Sequence, residues 1–245
     1  MNPETHSLDR ATFITAASAR YNDFFPLRAA VQAIPGLGSS LDTMLGGLGA
    51  RWQYERLESF IELLSERMRR LEAEYGPLSV EPSDAMFDLV LRVLECVRRD
   101  RSEQKRRRFA NLVAGQVVKP RDWHEAEIAA MLVDQLSELH VQVILAAAHA
   151  PICTKPFEGL RVVGFDNYGD EPEPGKHGNV VEPLLLQEAL PDTNLATIRL
   201  ICADLVAKGL LHDEGVGRID TGAMEYFVLS DSGRFFLDWV AEPDD

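Results

Sequence analysis

Hydrophobic residues recur at intervals of three and four along most of the chain, which is the spacing of one face of an α-helix. The longest such segment predicts a helix from about Leu41 to Glu74, which at about 1.5 Å per residue would span about 50 Å. Its opposite face alternates acidic and basic residues, which is typical of a solvated face or of the flank of a helical hairpin or coiled coil. A helix this long needs a partner to cover its apolar face, so we predict a helical bundle over residues 27–131.

Breaks in the pattern divide the rest of this half. Tyr75, Gly76 and Pro77 end the long helix, and a new helix is predicted to begin at Ser83 or Asp84. A helical core face continues as far as Pro120. Residues 1–26 begin with a polar stretch and are predicted to be flexible or weakly helical.

The pattern changes in the last third of the chain. A helix over Leu132–Ala150 and a short one over Leu184–Leu190 are predicted, and Thr193 or Asn194 is placed to cap a third. Gly209 stands where a helix ends with positive φ. The remaining elements are two strand-like runs and a last helix that Ser230 or Asp231 would cap: Leu210–His212, Met224–Leu229 and the segment carrying Phe235, Phe236, Trp239 and Val240.

Helix, helix, helix, hairpin, helix is the order of a winged helix-turn-helix. The phrases LVAKGLL and YFVLSDSGRFFLDWV resemble the ends of many bacterial winged-helix domains, and the glycine-rich GVGRIDTGA would be the wing. We therefore predict a winged helix over 132–245 with an acidic loop inserted at 151–180. The predicted fold class is mainly α: an N-terminal helical bundle built on a long helix, followed by a winged helix with a small β-hairpin.

Charge is distributed unevenly between the two halves. Asp134–Asp245 contains 7 Lys and Arg against 20 Asp and Glu, whereas Met1–Val133 contains 18 against 19, so nearly all of the net charge of −14 lies in the predicted winged helix. DNA binding draws most of its affinity from basic residues that neutralise phosphates. The presumed recognition helix offers only Arg199 and Lys208, and the wing only Arg218. This balance favours protein docking or dimerisation over DNA reading.

One short stretch of the acidic chain is strongly basic. Within it, Asp100 and Glu103 stand against seven cationic residues: Arg98, Arg99, Arg101, Lys105, Arg106, Arg107 and Arg108. One interpretation is a contact with phosphate or nucleic acid. The other, which the large acidic half favours, is pairing with acidic patches of this protein or of a second subunit.

Ala29–Ala50 is long and nearly uncharged, and three interpretations compete. As a membrane span it contains Pro35, five glycines and Asp42, and a central Asp alone costs roughly 2.5–3.5 kcal/mol. The residues PGLGSS at 35–40 could offer amide groups to an anion, although no Gly-Lys-Ser/Thr follows. The favoured interpretation is a tight turn that precedes a capped, closely packed helix.

The stretch Asp100–Val113, DRSEQKRRRFANLV, followed by EAEIAAMLVDQLSELHVQVILAAAHA, resembles a pattern in the Abi-alpha-type proteins of bacteria. The upstream RWQYERLESFIELLSERM also looks like their preceding segment, so the resemblance covers about Leu41–Ala150. It implies a helical fold and a link to abortive infection, a bacterial response to phage. It identifies no active site, and its conspicuous residues are expected to be core: Phe109, Leu112, Leu136 and Leu139.

No motif for catalysis, a cofactor or a metal site stands out, so a non-enzymatic protein is predicted. His140 is expected to be structural. Carboxylates near Glu173 and Lys176 fall in the predicted acidic loop rather than on a strand that would hold them around a metal. The cysteines are predicted to be buried free thiols in a reducing cytoplasm: Cys96, Cys153 and Cys202. The opening residues lack the layout of a signal peptide, which also favours a cytoplasmic location.

Three functional hypotheses follow. The first is an interaction or sensing protein, in phage defence, whose acidic winged helix docks a protein partner or a second copy. The second is a DNA-binding regulator assisted by the basic run. The third is a membrane-active effector that uses residues 29–50.

Overall fold

In a computed structural model of the protein, the structure describes residues 48–78, 83–154, 157–165, 181–216 and 222–240. They belong to two compact units, one within Met1–Gln135 and Trp239–Asp245 and the other within Leu136–Asp238. Helices predominate, and a small mixed sheet lies in the C-terminal part. The predicted mainly helical fold class is therefore confirmed.

The first unit is built on a long helix, α1. It spans Leu48–Tyr75, so the predicted long helix is confirmed there, and residues 41–47 lie outside the described part. Helix α1 packs on α2 and α3, and α4 packs on the same two helices. These helices span Asp84–Arg99 (α2), Glu103–Val118 (α3) and Trp123–Gln135 (α4). Their largest fully buried side chains form the core of this unit: Phe60, Leu89, Leu94, Phe109 and Leu112.

Local signals explain where α1 ends and α2 begins. Gly76 has a φ of +89°, the left-handed conformation that glycine adopts without steric cost after a helix. Ser83 then caps α2, because its Oγ accepts from the amide of Met86 at 3.2 Å. The break between α2 and α3 was not predicted. There the Asp100 carboxylate accepts from the amide of Ser102 at 2.7 Å, and Ser102 Oγ caps α3 by accepting from the amide of Lys105.

The second unit combines helices with four short strands. Strand β1 pairs in parallel with β2 and antiparallel with β4, and β4 pairs antiparallel with β3, so the sheet order is β2-β1-β4-β3. Helix α5 packs on α7, β4, β1 and α6. The elements in chain order are α5 (Glu138–His149), β1 (Val162–Gly164), β2 (Leu184–Leu185), α6 (Leu186–Ala189), α7 (Leu195–Ala207), β3 (Leu211–Asp213), β4 (Tyr226–Leu229) and α8 (Asp231–Val240).

Several predicted end signals of this unit are confirmed. Asn194 caps α7, since its side-chain oxygen accepts from the amide of Thr197 at 2.8 Å. Gly209 has a φ of +71°. Ser230 Oγ accepts from the amide of Gly233 at 3.0 Å and so caps α8. The two predicted strand-like runs correspond to β3 and β4, within one or two residues at their ends.

Three features differ from the prediction. A single helix over Leu132–Ala150 is wrong, because α4 ends at Gln135 and a new helix starts after Ser137. The predicted helix over Leu184–Leu190 is wrong in its first two residues, which pair as β2 with β1. Strand β1 was not predicted at all and lies inside the 151–180 segment predicted as a loop. Pairing with β1 decided both strand assignments, and a partner distant in sequence leaves no local periodicity.

The turn between α3 and α4 depends on one buried amide. Gln116 is 1% exposed, and its side chain forms two hydrogen bonds with the backbone of Arg121: Nε2 donates to the carbonyl at 2.9 Å, and Oε1 accepts from the amide at 3.0 Å. The Gln116 side chain thus satisfies both the carbonyl and the amide of Arg121, and these two hydrogen bonds stabilise the turn in addition to packing.

We expect Gln116→Met to lower the free energy of unfolding by about 1–3 kcal/mol, because it preserves length while leaving both backbone groups of Arg121 without this partner. Urea denaturation of the full chain measures the loss. Gln104→Met is the matched control, since Gln104 is exposed on the same helix and its replacement should change stability by less than about 0.5 kcal/mol. Equal losses in the two variants would contradict the role of the amide.

Candidate functional site

The basic run of the sequence is divided between two helices. Arg98 and Arg99 end α2, Arg101 lies in the turn, and the other four lie in the first two turns of α3: Lys105, Arg106, Arg107 and Arg108. Positive charge suits the end of α2 and opposes the dipole at the start of α3. The start of α3 is compensated by acidic residues close in sequence, of which Glu103 is the first residue of the helix.

Two of the basic side chains bind neighbours in their own unit. Lys105 Nζ lies 2.9 Å from Asp100 Oδ2 and donates to the carbonyl of Asp134 at 2.6 Å. Arg107 Nη2 lies 2.9 Å from Glu103 Oε1, one turn away on the same helix. The Lys105 side chain is only 12% exposed, whereas that of Arg107 is 50% exposed. Lys105 therefore helps to hold the turn, and Arg107 forms an ordinary surface pair.

Two more arginines satisfy backbone carbonyls at this turn. Arg56, from α1, donates through Nη1 to the carbonyls of Arg98 at 3.1 Å and Arg99 at 3.0 Å, the last carbonyls of α2. Arg106 is buried and donates through Nη1 to the carbonyl of Arg101 at 3.2 Å. Arg56 could not be predicted as part of this turn, because nothing in the pattern of α1 distinguishes it from the other charges on that helix.

These contacts perturb the titration of the turn. Burial by itself would raise the pKa of Asp100. The hydrogen bonds from Lys105 and Ser102 outweigh this effect, so the pKa of Asp100 lies below its usual value. The Arg107 guanidinium lowers the pKa of Glu103. Burial lowers the pKa of Arg106, and the positive charge of Arg56 acts in the same direction. The turn therefore concentrates guanidinium charge in a partly desolvated place.

The predicted recognition helix corresponds to α7, and the two basic residues assigned to it have neighbours in their own unit: Arg199 within α7 and Lys208 directly after it. The Arg199 guanidinium lies 4.7 Å from the centre of the Phe165 ring, within the range of a cation–π contact. Lys208 Nζ lies 2.7 Å from Asp204 Oδ1. Arg218, predicted to lie in the wing, falls outside the described residues.

The solvent-facing side of α7 is mostly apolar. Leu200 is 71% exposed, and Leu195 at the start of the helix is 39% exposed. Three exposed alanines continue the stripe, one before Leu200 and two after it, at the three- and four-residue spacing of one helix face. The docking face, as we name it, consists of Leu195, Ala196, Leu200, Ala203 and Ala207, all exposed. Two charged residues of the described helix lie beside this stripe: Arg199, which is exposed, and Asp204, whose side chain is 42% exposed.

A chain of polar contacts links α7 to α5. His140 Nδ1 accepts from the amide of Ser137 at 3.2 Å and lies 2.7 Å from Ser137 Oγ, and His140 Nε2 lies 3.0 Å from Asp204 Oδ2. An amide can only donate, so Nδ1 carries the lone pair and Nε2 carries the proton given to Asp204. The same contacts close the first turn of α5, which makes His140 a structural residue, as predicted from the sequence.

The hairpin of β3 and β4 is closed by a buried carboxylate. Asp213 is 5% exposed, and its two oxygens accept from the amides of Gly215 at 2.9 Å and Met224 at 2.7 Å. Met224 has a φ of +63°, and a Cβ at Gly215 would clash with the carbonyl oxygen of Gly222. In the sequence, Asp213 is one of the 20 acidic residues that disfavour DNA binding by this half of the chain. In the structure, its carboxylate holds the base of the hairpin together.

The described part of the chain contains reactive side chains in its cysteines, but they are buried. The three cysteines are buried free thiols there, and burial raises the pKa of Cys96 to about 11, with Asp134 adding to the shift, and that of Cys202 to about 12. The same residues contain no group of three potential metal ligands, and none of their helices is by itself long and apolar enough to cross a membrane. Residues 29–47, which carry the proposed membrane span and the proposed anion site, lie outside the described residues. The same is true of residues 166–180, which contain the carboxylates near Glu173 and Lys176.

No family model, curated protein or solved structure matches the chain. The resemblance to Abi-alpha-type proteins therefore stays a prediction from the motifs. Of the residues that it marks as core, Phe109, Leu112 and Leu136 are fully buried, and Leu139 is half-buried.

We expect Asp204→Asn to destabilise the protein at pH 7, because it weakens the contacts of this carboxylate with Lys208 and His140. The expected loss is only roughly 0.5–1 kcal/mol, because solvent screens these contacts. The Lys208 hydrogen bond lowers the pKa of Asp204. The stability that ionised Asp204 contributes is thus present above its unfolded-state pKa and is lost as pH falls through the lower folded-state pKa. Urea unfolding at pH 7 and near pH 3 should therefore show a difference from the wild type that shrinks with acid.

Asp192→Asn is the control, since Asp192 is exposed in the turn before α7. It should leave stability nearly unchanged at both pH values. A deficit in Asp204→Asn that stays constant with pH would mean that the carboxylate charge is not what holds α7 to α5.

Proposed function

We propose that this chain is a non-enzymatic interaction protein whose C-terminal unit is a winged helix that docks a protein partner on α7. The element order of that unit supports the winged-helix assignment: α5, β1, α6, α7, the β3–β4 hairpin, then α8. The antiparallel order β1-β4-β3 is what a wing returning beside a first strand produces. The parallel partner β2 is an addition to that pattern.

The apolar docking face carries the proposal. Helix faces exposed to water normally contain charged or polar side chains, and this one contains leucines and alanines in their place. A helix that reads DNA needs Arg, Lys, Asn or Gln directed at base edges and phosphates. Leu200 at 71% exposure instead offers an anchor for a pocket or a second helix, and the alanines allow close approach.

Arg199 and Lys208 give the DNA alternative little support. Arg199 lies over the Phe165 ring, and Lys208 is paired with Asp204, which also binds His140. A phosphate would have to compete with these contacts and with the 20 acidic residues of Asp134–Asp245. Protein docking requires neither competition.

Charge indicates the chemistry of the partner. Glu188 and Asp192, both exposed, lie in α6 and in the turn that leads into α7. A partner with an apolar stripe flanked by Lys and Arg would match both the leucine anchor and the surrounding field. A second copy of this chain fits less well, because two such acidic units repel each other. We therefore propose a basic amphipathic helix as the occupant.

Phage defence is the biological setting that we propose. It rests on the resemblance of DRSEQKRRRFANLV and its neighbouring segments to the Abi-alpha-type pattern. In such a setting the docked partner would be the component whose arrival or release the protein reports.

We expect Leu200→Glu to weaken binding of a Leu/Lys model amphipathic helix by at least about tenfold, because burial of a leucine contributes about 1.5–3 kcal/mol. Fluorescence anisotropy with labelled peptide and the full chain measures the dissociation constant. The substitution adds negative charge, so attraction by charge alone would strengthen binding. A loss therefore separates docking from general electrostatics.

Leu160→Glu is the matched control, because Leu160 is an exposed leucine of the same unit outside α7. It should bind the peptide as the wild type does. The proposal fails if the peptide does not bind, or if Leu200→Glu binds as tightly as Leu160→Glu. Binding of a random DNA duplex at about 50 mM salt that is lost steeply towards 200 mM would instead favour the DNA-reading alternative.

A further inference from the structure

The two charged residues beside the docking face lie on opposite sides of it. At about 100° per helical residue, Arg199 and Asp204 are displaced by roughly 70° in opposite directions from the stripe that Leu200 forms with the three exposed alanines. Arg199 is exposed, and the side chain of Asp204 is 42% exposed. A helix that docks on the stripe therefore meets a positive charge along one flank and a negative charge along the other.

These two charges differ in how far they are already compensated. Asp204 pairs with Lys208 at 2.7 Å and accepts from His140 at 3.0 Å. Arg199 has neither a carboxylate partner nor a hydrogen-bond acceptor among the described residues. In the described part of α7, Arg199 thus offers N–H donors and a charge that a docked partner is able to satisfy.

The guanidinium of Arg199 is supported by an aromatic ring that is itself held in place. Its carbon atom lies 4.7 Å from the centre of the Phe165 ring, and the Phe165 and Phe227 rings meet edge to face with their centroids 5.7 Å apart. Phe165 is 7% exposed, and its amide donates to the carbonyl of Glu225 at 3.2 Å. An arginine that is positioned before binding loses less conformational entropy when it forms an ion pair.

We infer that Arg199 binds a carboxylate of the docked helix, so that the partner carries Asp or Glu on the flank that faces Arg199 and Lys or Arg on the flank that faces Asp204. A guanidinium that lies over an aromatic ring still presents N–H donors at its edge, and their geometry matches the two oxygens of a carboxylate. The inference rests on the proposed docking of a basic amphipathic helix on α7, and it adds which side of that helix is acidic.

The opposite charges also fix the direction of the docked helix. Reversing a helix on the stripe exchanges its two flanks, which would bring its lysines to Arg199 and its carboxylate to Asp204. Both pairs would repel, and like charges across an interface oppose binding. A partner with one acidic flank therefore binds in one direction, whereas an apolar stripe alone would accept both directions.

Two Leu/Lys model helices test the inference by fluorescence anisotropy with the full chain. The first has lysines on both flanks of its leucine stripe, and the second has Glu at the centre of one flank and keeps a net positive charge. Arg199→Gln should weaken binding of the Glu-flanked peptide by at least about fivefold, because it removes the partner of the carboxylate. The same substitution should strengthen binding of the all-Lys peptide or leave it unchanged, because it removes a repelling charge.

Arg234→Gln is the matched control, since Arg234 is exposed on α8 in the same unit. It removes the same charge away from the docking face and should weaken the binding of neither peptide. Arg199→Lys should retain part of the affinity for the Glu-flanked peptide, because the charge remains without the paired donors. If circular dichroism shows that Arg199→Gln disturbs the fold, the comparison is made with Arg199→Lys, which should lose affinity for the Glu-flanked peptide alone.

The outcomes separate this inference from the docking proposal. An equal response of the two peptides to the Arg199 substitution, or an equal loss in Arg234→Gln, would overturn the inference and leave docking intact as long as Leu200→Glu still weakens both peptides. If neither peptide binds, or if binding does not depend on Leu200, the docking proposal fails and the inference fails with it.

Discussion

The turns of this protein depend on one constraint: backbone groups left over where a helix or strand ends must find partners. Side chains supply them. Arg56 satisfies the last carbonyls of α2, Gln116 binds the backbone of Arg121, His140 closes the start of α5, and Asp213 closes the hairpin. Each contact joins a polar group to the main chain at a place where the chain changes direction, so successive elements of each unit can pack on the core of that unit.

This constraint also limits where function can lie. Charged residues that look available in the sequence already have partners, as Lys105, Arg106 and Lys208 show. The exposed side of α7 is mostly apolar, with Arg199 and Asp204 beside the apolar stripe. An apolar face favours a protein partner. This property does not follow from net charge.

Much of the fold could be predicted, because the signals that specify a helix lie within the helix itself or directly beside it. Periodicity placed α1 and α2, and capping residues placed the starts of α7 and α8 at Asn194 and Ser230. The candidate sites were less accessible. The basic run was visible, but Arg56, which binds the last carbonyls of α2, lies 42 residues before Arg98. The breaks at Asp100–Ser102 and at Ser137 were missed, because a short capped turn interrupts helical spacing too briefly to disturb it.

By itself the sequence determined which segments become helices, where most of them begin, and that the C-terminal half is acidic, because spacing, caps and charge are properties of neighbouring residues. Only the tertiary structure decided that Val162–Gly164 and Leu184–Leu185 are strands, that Leu200 faces water, and that Arg56 binds the last carbonyls of α2. The physical reason is the same in each case. Strand pairing, exposure and hydrogen bonding across helices depend on partners far along the chain, and a local pattern carries no record of them.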